Sequence, residues 1–342
     1  MVQKRVTFHD EIAFDDGTRV LINRLLDKGE FRSVYLARDV KKQQLYALKR
    51  VDCQSNEEVE RCREEAAIHR LFHHENIMPL LNVKFAQTEA ASSCSFFYML
   101  FPYLPRSLED EITARRLRED RPEKQRRPFS TLEALTIFAG VCKAIKALHD
   151  AGVCHRDVCP GNILLQNGKR RIDVGTPVLS DFGSVGPLSK QLSSQADVAN
   201  AKEDVERSTT PAYRAPELFE LIEQYKALPS EQNLQYGPAD VWSLGCLLFA
   251  MLYGMSPIEM DWRVSLVEGA EADGTVQFWG TTYERVLEFS EIPFPPDGSA
   301  ADRRYGDDIK GLISWMLNKE WQERPSVGEV LDKVGNLLAK KE

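Results

Sequence analysis

The chain has 342 residues, a length that fits one large domain or two lobes. Apolar residues make up 43% and charged residues 28%, near the globular average, while 20 Gly and 17 Pro are too few for a collagen-like or mostly disordered chain. The net charge of −8 gives no support to a nucleic-acid-binding protein, so no nucleic acid is expected as a partner.

The cysteines and the apolar segments favour a cytoplasmic protein. Seven Cys are scattered along the chain without a CxxC pair, which argues against a disulfide framework or a zinc module and favours a reducing compartment. No stretch of ~18 apolar residues is present, so no membrane span is expected. The first residues lack the apolar region of a signal peptide, and Val2 stands where N-myristoylation requires Gly, so neither is expected.

The N-terminal part of the chain reads as a small β-rich unit with one helix. Residues 1–17 are expected to be an extension or a first edge strand. Alternating apolar residues over 19–51 predict antiparallel strands, and a second strand pair is expected at 79–86 and 95–103. Residues 55–72 change to the spacing of a helix.

The predicted helix at 55–72 begins with a possible capping box formed by Ser55 and Glu58. Its apolar residues are expected to lie roughly on one face of the helix. These residues are Val59, Cys62, Ala66, Ile68 and Leu71.

The remainder of the chain reads as mostly helical. Residues 109–129 form a charged run, which predicts a solvated helix and loop. Ser130 and Glu133 form another possible capping box before a long stretch of apolar residues at helical spacing. The apolar stretch at 244–253 is too short for a membrane span and predicts a buried core helix.

The most informative segment is VCHRDVCPGNILL at 153–165. In it, Asp157 ends a His-Arg-Asp triplet and is followed by Asn162, and the later stretch VLSDFGS contains Asp181. Phosphoryl transfer requires a carboxylate that orients the acceptor, ligands for metal ions that bridge the phosphates, and positive charge near those phosphates. Asp157 fits the orienting carboxylate, and Asn162 and Asp181 fit ligands for Mg²⁺. The order HRDxxxxN, DFG and then APE is a specific signal for this chemistry.

These motifs resemble a eukaryotic protein kinase over about residues 18–338. The resemblance extends to a glycine-containing loop in LLDKGEFRSVYLA, the lysine of YALK, APE at 215–217, DVWSLG at 240–245 and the arginine of WQERPS. It implies a bilobal α+β kinase fold: an N-lobe at 18–104 with a small antiparallel sheet and one helix, and a larger, mainly helical C-lobe at 105–338.

The resemblance assigns roles to several charged residues. Lys49 would hold the α- and β-phosphates of ATP and pair with Glu65, for which Glu64 is the competing partner on the same helix. Glu217 and Arg324 are expected to form a buried ion pair with a structural role.

Two more residues are expected to organise the catalytic loop, the stretch from the His-Arg-Asp triplet to Asn162. Asp240 should accept hydrogen bonds from backbone amides of this loop. Arg156 should contact groups of the activation segment, residues 181–217. Among the seven cysteines, Cys154 is expected to lie in the core.

The resemblance also implies an ATP site with a hinge at 101–105. Phe101 would lie behind the base, the Pro102 carbonyl would accept from the adenine amino group, and Leu104 would donate its backbone N–H. The residues expected to contact ATP are Gly29, Val34, Ala47, Lys49, Phe101, Pro102, Leu104 and Leu164.

The activation segment indicates the substrate class. Thr210 precedes Tyr213 by three residues, as in Ser/Thr kinases, and its hydroxyl is expected near Asp157. Protein substrates with Ser or Thr acceptors are therefore expected. The composition of the segment 181–217 suggests a helix within it. In this the chain is similar to the Numb-associated kinase family. Within that family it most closely resembles the branch of myristoylated and palmitoylated Ser/Thr kinases, on the stretches YALKR, EAAIHRLF, SDFGS, YRAPELF and DVWSLGCLLFAM.

Two features depart from the kinase pattern. Cys159 occupies the position of the catalytic-loop lysine, and losing such a donor could lower the rate ~10²–10³-fold. In the glycine-rich loop only Gly29 remains, because Asp27 and Arg32 occupy the other two positions. Arg32 could supply charge to the phosphates, but an outward orientation is favoured.

These departures leave three interpretations open. A slow protein kinase is favoured, and the alternative is an ATP-binding pseudokinase that acts as a signalling scaffold. A small-molecule phosphotransferase is disfavoured, because APE, DVWSLG and Arg324 belong to the lobe that binds protein substrates.

Overall fold

In the computed structural model, the described residues are 10–29, 31–87, 95–116, 128–166, 175–223, 232–260, 286, 289 and 291–340. The chain divides into two compact units, Met1–Pro105 and Arg106–Glu342. None of the described helices is long and apolar enough to cross a membrane.

The first unit contains a six-stranded antiparallel sheet with the strand order β1-β2-β3-β4-β6-β5. Residues 1–17 were expected to be an extension or a first edge strand. The structure has the edge strand β1 within this range, and it pairs with β2. The strands are β1 Glu11–Ala13, β2 Arg19–Lys28, β3 Arg32–Asp39, β4 Leu45–Cys53, β5 Asn82–Gln87 and β6 Ser95–Pro102.

Strand alternation gives this sheet two apolar faces, because successive side chains point to opposite sides. One face carries a buried cluster that includes Val20, Tyr35 and Leu48. The other face packs against the helix α1, Asn56–Leu71, around residues such as Cys62 and Met99. Burial on both faces fixes the register of the strands.

The helix α1 agrees with the prediction except at its C-terminal end. The Ser55 hydroxyl caps it by accepting from the Glu58 amide at 3.2 Å, whereas the Glu58 carboxylate accepts from the Gln54 amide rather than from Ser55. The predicted placement of Leu71 on the apolar face is wrong, because this side chain is 74% exposed. The buried stripe continues instead to His69, two residues or about 200° away on a helix.

The second unit is mainly helical and is organised around two long helices. Ser130 and Glu133 form the predicted capping box at the start of α3, and α6 is buried from Ala239 to Tyr253, as predicted for its apolar part. The last helix packs on α3. The helices are α2 Leu108–Arg116, α3 Thr131–Asp150, α4 Gln195–Ser208, α5 Pro216–Glu223, α6 Gly237–Tyr253, α7 Ala300–Arg304, α8 Asp307–Met316 and α9 Val327–Ala339.

Three short antiparallel strand pairs occur among the described residues of this unit. Two of them, the first and the last, join segments that are distant in sequence. The pairs are β7 Val153–Cys154 with β10 Gly186–Pro187, β8 Ile163–Gln166 with β9 Thr176–Leu179, and β11 Ser189–Leu192 with β12 Gln232–Gln235. With a β-sheet unit and a helical unit, the predicted α+β class is confirmed.

Candidate active site

A buried ion pair joins strand β4 to helix α1 in the first unit. The Lys49 Nζ lies 2.7 Å from the Glu65 Oε1, and each side chain is only 10% exposed. Lys49 reaches the helix because alternation places it on the sheet face that packs against α1. Glu65 is one of the buried residues of that helix, whereas Glu64 is exposed. The geometry therefore pairs Lys49 with Glu65.

Three of the residues expected at the nucleotide share the sheet face of Lys49. Val34 is in register with Lys49, and Ala47 is in register with Phe101. The side chains of Val34, Ala47 and Phe101 are half-buried. Cross-strand neighbours point to the same side of a sheet, so Val34, Ala47 and Phe101 form one surface with Lys49.

The end of β6 carries the other expected nucleotide contacts of this unit. Pro102 is the last residue of the strand and is in register with Tyr46, and Leu104 follows it, half-buried. The side chain of Phe101 packs on His69 of α1, with ring centroids 5.3 Å apart.

The glycine-containing loop is narrow around Gly29. The Gly29 amide donates to the Arg32 carbonyl at 2.8 Å, and a Cβ at Gly29 would lie 3.1 Å from the Arg32 Cγ. Gly29 is thus the residue that tolerates the close approach of Arg32. Arg32 itself is exposed, as the favoured outward orientation requires.

The carboxylate of Asp157 is held from two sides in the second unit. Its Oδ1 accepts from the Thr210 backbone N–H at 2.8 Å and from the Thr210 hydroxyl at 2.6 Å. Its Oδ2 accepts from the Asn162 Nδ2 at 2.8 Å. A carboxylate has about four acceptor sites. The described residues occupy three of them, so a site on Oδ2 can receive a hydroxyl proton.

Asp240 holds the backbone of the catalytic loop, as expected. Its buried carboxylate accepts from the amides of His155 and Arg156, each at 2.8 Å, and contacts the His149 Nε2 at 2.9 Å. Arg156 has a φ of 68°, a left-handed conformation that is unfavourable for a residue with a Cβ. The two hydrogen bonds to Asp240 stabilise this strained turn.

The residue before Asp181 is hydrogen-bonded to the catalytic loop. The Asn162 carbonyl accepts from both the amide and the hydroxyl of Ser180, each at 2.9 Å. Phe182 is buried and packs edge-on against the His155 ring, with centroids 5.7 Å apart. Asp181 itself has a φ of 60°, so this functional candidate also lies in a strained backbone region.

The donor atoms of Asn162 and Asp181 suit Mg²⁺. Both hydrogens of the Asn162 amide are directed at Asp157, at the carbonyl (2.9 Å) and at Oδ2 (2.8 Å), so its oxygen is turned to the other side. Mg²⁺ is commonly bound by one or two protein oxygen ligands together with substrate phosphates. No cluster of three or more His, Cys, Asp or Glu suited to a metal occurs among the described residues.

The remaining expected nucleotide contact, Leu164, lies on β8. It is in register with Val178 of β9, forms an isolated bridge with Ser107 and is half-buried. The short strand pair therefore fixes its position directly after the catalytic loop.

Cys159 is a buried thiol next to the Asp157–Thr210 contact. It is 8% exposed, and burial, together with the negative charge of Asp157, raises the pKa of the thiol to about 12. A thiol with such a pKa remains protonated and neutral at physiological pH. It therefore supplies no positive charge where the kinase pattern has a lysine. Cys154 is fully buried, as expected.

The predicted helix of the activation segment is present as α4, and it provides the contact with the activation segment that was expected for Arg156. Asp204 of α4 lies 2.5 Å from the Arg156 Nη1, and the guanidinium lies over the Tyr236 ring at 5.1 Å. Burial acts to raise the pKa of Asp204, but the Arg156 charge holds that pKa below its usual value. The sequence predicted which segment Arg156 contacts, but it did not identify Asp204 as the residue that it pairs with.

The expected ion pair between Glu217 and Arg324 forms with bidentate geometry. The Arg324 Nη1 and Nη2 donate to the Glu217 Oε1 and Oε2, each at 2.8 Å, and the Arg324 side chain is 0% exposed. The guanidinium also lies over the Trp242 ring at 5.0 Å. The pair joins the start of α5 to the loop before α9.

Comparison with known proteins agrees with this geometry. A family model described as "Protein kinase domain" matches residues 21–334. The chain is 32% identical to serine/threonine-protein kinase 16 of Rattus norvegicus over 93% of this chain and 90% of the relative, with the same values for the Homo sapiens protein. It is also 28% identical to a probable serine/threonine-protein kinase of Dictyostelium discoideum, over 94% of this chain and 95% of the relative.

Proposed function

This chain belongs to the protein kinase family, and from that premise we propose that it is an ATP-dependent serine/threonine kinase acting on protein substrates. The observation that carries the proposal is the Asp157 carboxylate, which Thr210 and Asn162 hold by hydrogen bonds that leave an acceptor site on Oδ2 for a substrate hydroxyl. The proposed kinase domain covers 18–338, with an N-lobe at 18–104 and a C-lobe at 105–338.

In the proposed reaction, the residues of the chain bind and orient the reactants. The Lys49 ammonium, fixed by Glu65, binds the α- and β-phosphates of ATP. Asn162 and Asp181 hold Mg²⁺, which neutralises charge on the phosphates when bound. Asp157 orients the Ser or Thr hydroxyl and accepts its proton as the γ-phosphate is transferred.

The other residues that we propose to contact ATP are Gly29, Val34, Ala47, Phe101, Pro102 and Leu104 of the first unit and Leu164 of the second unit. Gly29 belongs to the loop whose backbone would approach the phosphates. Val34 and Ala47 would cover the base, Phe101 would lie behind it, and the backbone of Pro102 and Leu104 would bind its edge.

The rate of the proposed kinase is reduced by Cys159. A neutral buried thiol replaces the cation that stabilises the transferring phosphoryl group, and removing one such donor costs ~10²–10³ in rate. The same observation favours a second candidate, an ATP-binding pseudokinase that acts as a scaffold. The intact geometry of Asp157, Asn162 and Lys49 supports the enzyme over the scaffold.

Within the kinases, we propose membership of the Numb-associated kinase family and of its myristoylated and palmitoylated branch. The supporting observation is α4, a fourteen-residue helix inside the activation segment. A cytoplasmic location is proposed on the basis of cysteine usage, because six described cysteines, Cys53, Cys62, Cys142, Cys154, Cys159 and Cys246, are thiols that form no disulfide.

A substitution of Lys49 tests the proposed function. We expect the wild-type protein to transfer the γ-phosphate of Mg-ATP to Ser and Thr of dephosphorylated casein, and Lys49→Met to lower that rate about 10–100-fold. The reason is the loss of a charge-assisted contact to the phosphates. Phosphate incorporation is measured by liquid chromatography and mass spectrometry of the casein.

The matched control is Lys42→Met, which removes an exposed lysine from the turn between β3 and β4 of the same sheet. It should retain the wild-type rate. Equal rates for Lys49→Met and Lys42→Met would contradict the role of Lys49, and a folded wild-type protein without any transfer would favour the pseudokinase.

A further inference from the structure

Arg214 is a buried arginine whose side chain, within the part of the chain that the structure describes, donates its hydrogen bonds to one neutral residue. It is 7% exposed, and its Nε donates to the Thr209 hydroxyl at 2.6 Å. Its Nη2 donates to the Thr209 carbonyl at 3.1 Å, and the guanidinium lies over the Phe219 ring at 4.9 Å. The planar guanidinium thus donates hydrogen bonds to both the side-chain hydroxyl and the backbone carbonyl of Thr209.

Burying this charge is unfavourable. Burial lowers the pKa of Arg214, an effect that the negative charges of Glu206 and Asp157 oppose. A buried charge bound to neutral acceptors costs free energy that an apolar side chain of similar size would not. The pairing therefore indicates a use for the arginine that packing alone does not explain.

Thr209 links this arginine to the catalytic carboxylate. The Thr209 hydroxyl donates to the Val205 carbonyl at 2.9 Å, which ties it to the C-terminal end of α4. The next residue, Thr210, donates both its backbone N–H and its hydroxyl to Asp157. A rotation of the peptide between Thr209 and Thr210 would therefore move two of the three hydrogen bonds that orient Asp157.

We propose that Arg214 is a positioning residue: it fixes the Thr209–Thr210 peptide and thereby the orientation of the Asp157 carboxylate. The role matters in this chain because Cys159 is neutral and cannot form an ion pair with the Asp157 carboxylate. Among the described residues, Thr210 and Asn162 hold this carboxylate by hydrogen bonds. The catalytic part of this inference rests on the proposed kinase function, whereas the positioning itself does not.

Two conservative variants separate positioning from packing. Arg214→Lys keeps the charge but loses the planar fork that reaches two acceptors, and Thr209→Val keeps the shape but removes the hydroxyl. Arg304→Lys, an exposed arginine of α7, is the matched control. Hydrogen exchange of the Thr210 amide, resolved with overlapping peptides, reports directly on its bond to Asp157 without requiring activity.

We expect Thr210 to exchange about tenfold faster in both variants than in the wild-type protein and in Arg304→Lys. With Mg-ATP and dephosphorylated casein, kcat should fall about tenfold in both variants, while KM for ATP stays within about twofold. This split between kcat and KM is expected because the variants affect Asp157 rather than the nucleotide contacts.

Unchanged exchange at Thr210 in both variants would overturn the proposal, as would faster exchange with unchanged kcat in an active enzyme. If Arg214→Lys does not fold, Thr209→Val decides between these results. A wild-type protein that shows no transfer contradicts the proposed kinase function instead, and the exchange rates still decide whether Arg214 positions Thr210.

Discussion

Replacing Cys159 with lysine is expected to raise kcat for phosphoryl transfer about 10²–10³-fold. The thiol at this position is buried, and its pKa of about 12 keeps it neutral at physiological pH. A lysine ammonium beside Asp157 would stabilise the negative charge on the transferring phosphoryl group. The measurement is the initial rate of phosphate transfer from Mg-ATP to dephosphorylated casein, at saturating ATP.

The matched control for this prediction is Cys159→Met, which adds a flexible side chain without a charge. It separates the effect of charge from the effect of filling the space near Thr210. If the lysine and methionine variants have the same kcat, the missing cation does not limit the rate. The account of the slow kinase would then be wrong.

The second large effect concerns stability rather than catalysis. Glu217→Gln is expected to lower the free energy of unfolding by about 3–5 kcal/mol, because it leaves the fully buried Arg324 guanidinium without its counter-charge. The carbonyls of Asn318 and Pro238, which accept from Arg324 at 2.7 Å and 3.0 Å, compensate only in part. Urea denaturation monitored by circular dichroism measures the change.

Glu323→Gln is the control for the stability measurement, because Glu323 is an exposed carboxylate next to Arg324 in sequence. A surface change of this kind should alter the free energy of unfolding by less than about 0.5 kcal/mol. If Glu217→Gln and Glu323→Gln have the same denaturation midpoint, the ion pair contributes little to the fold.

The sequence predicted the parts of the site that depend on residue type and order. Asp157, Asn162, Asp181 and Lys49 occur within local motifs, so their elements and their mutual order along the chain could be inferred before any contact was known. The resemblance to protein kinases also implied that the Thr210 hydroxyl lies near Asp157, and the structure contains this contact.

The sequence did not identify pairs of residues that lie in separate segments without a fixed spacing between them. The expected contact of Arg156 with the activation segment is present, but Asp204 could not be identified as the partner, because the pair depends on how α4 folds back toward the catalytic loop. The hydrogen bonds of Arg214 to Thr209 likewise depend on a turn of the backbone. No periodicity encodes either contact. The exposed Leu71 shows the same limit locally, because an apolar residue at the last position of a helix need not follow the buried stripe.

The most direct test of the central claim is phosphate transfer by the wild-type protein compared with Asp157→Ala, each incubated with Mg-ATP and dephosphorylated casein. Mass spectrometry of the casein and of the protein itself would count phosphates and assign the modified residues. The account predicts slow phosphorylation of Ser and Thr by the wild-type protein and none by Asp157→Ala. Equal incorporation by both proteins, or no incorporation by a folded wild-type protein, would contradict it.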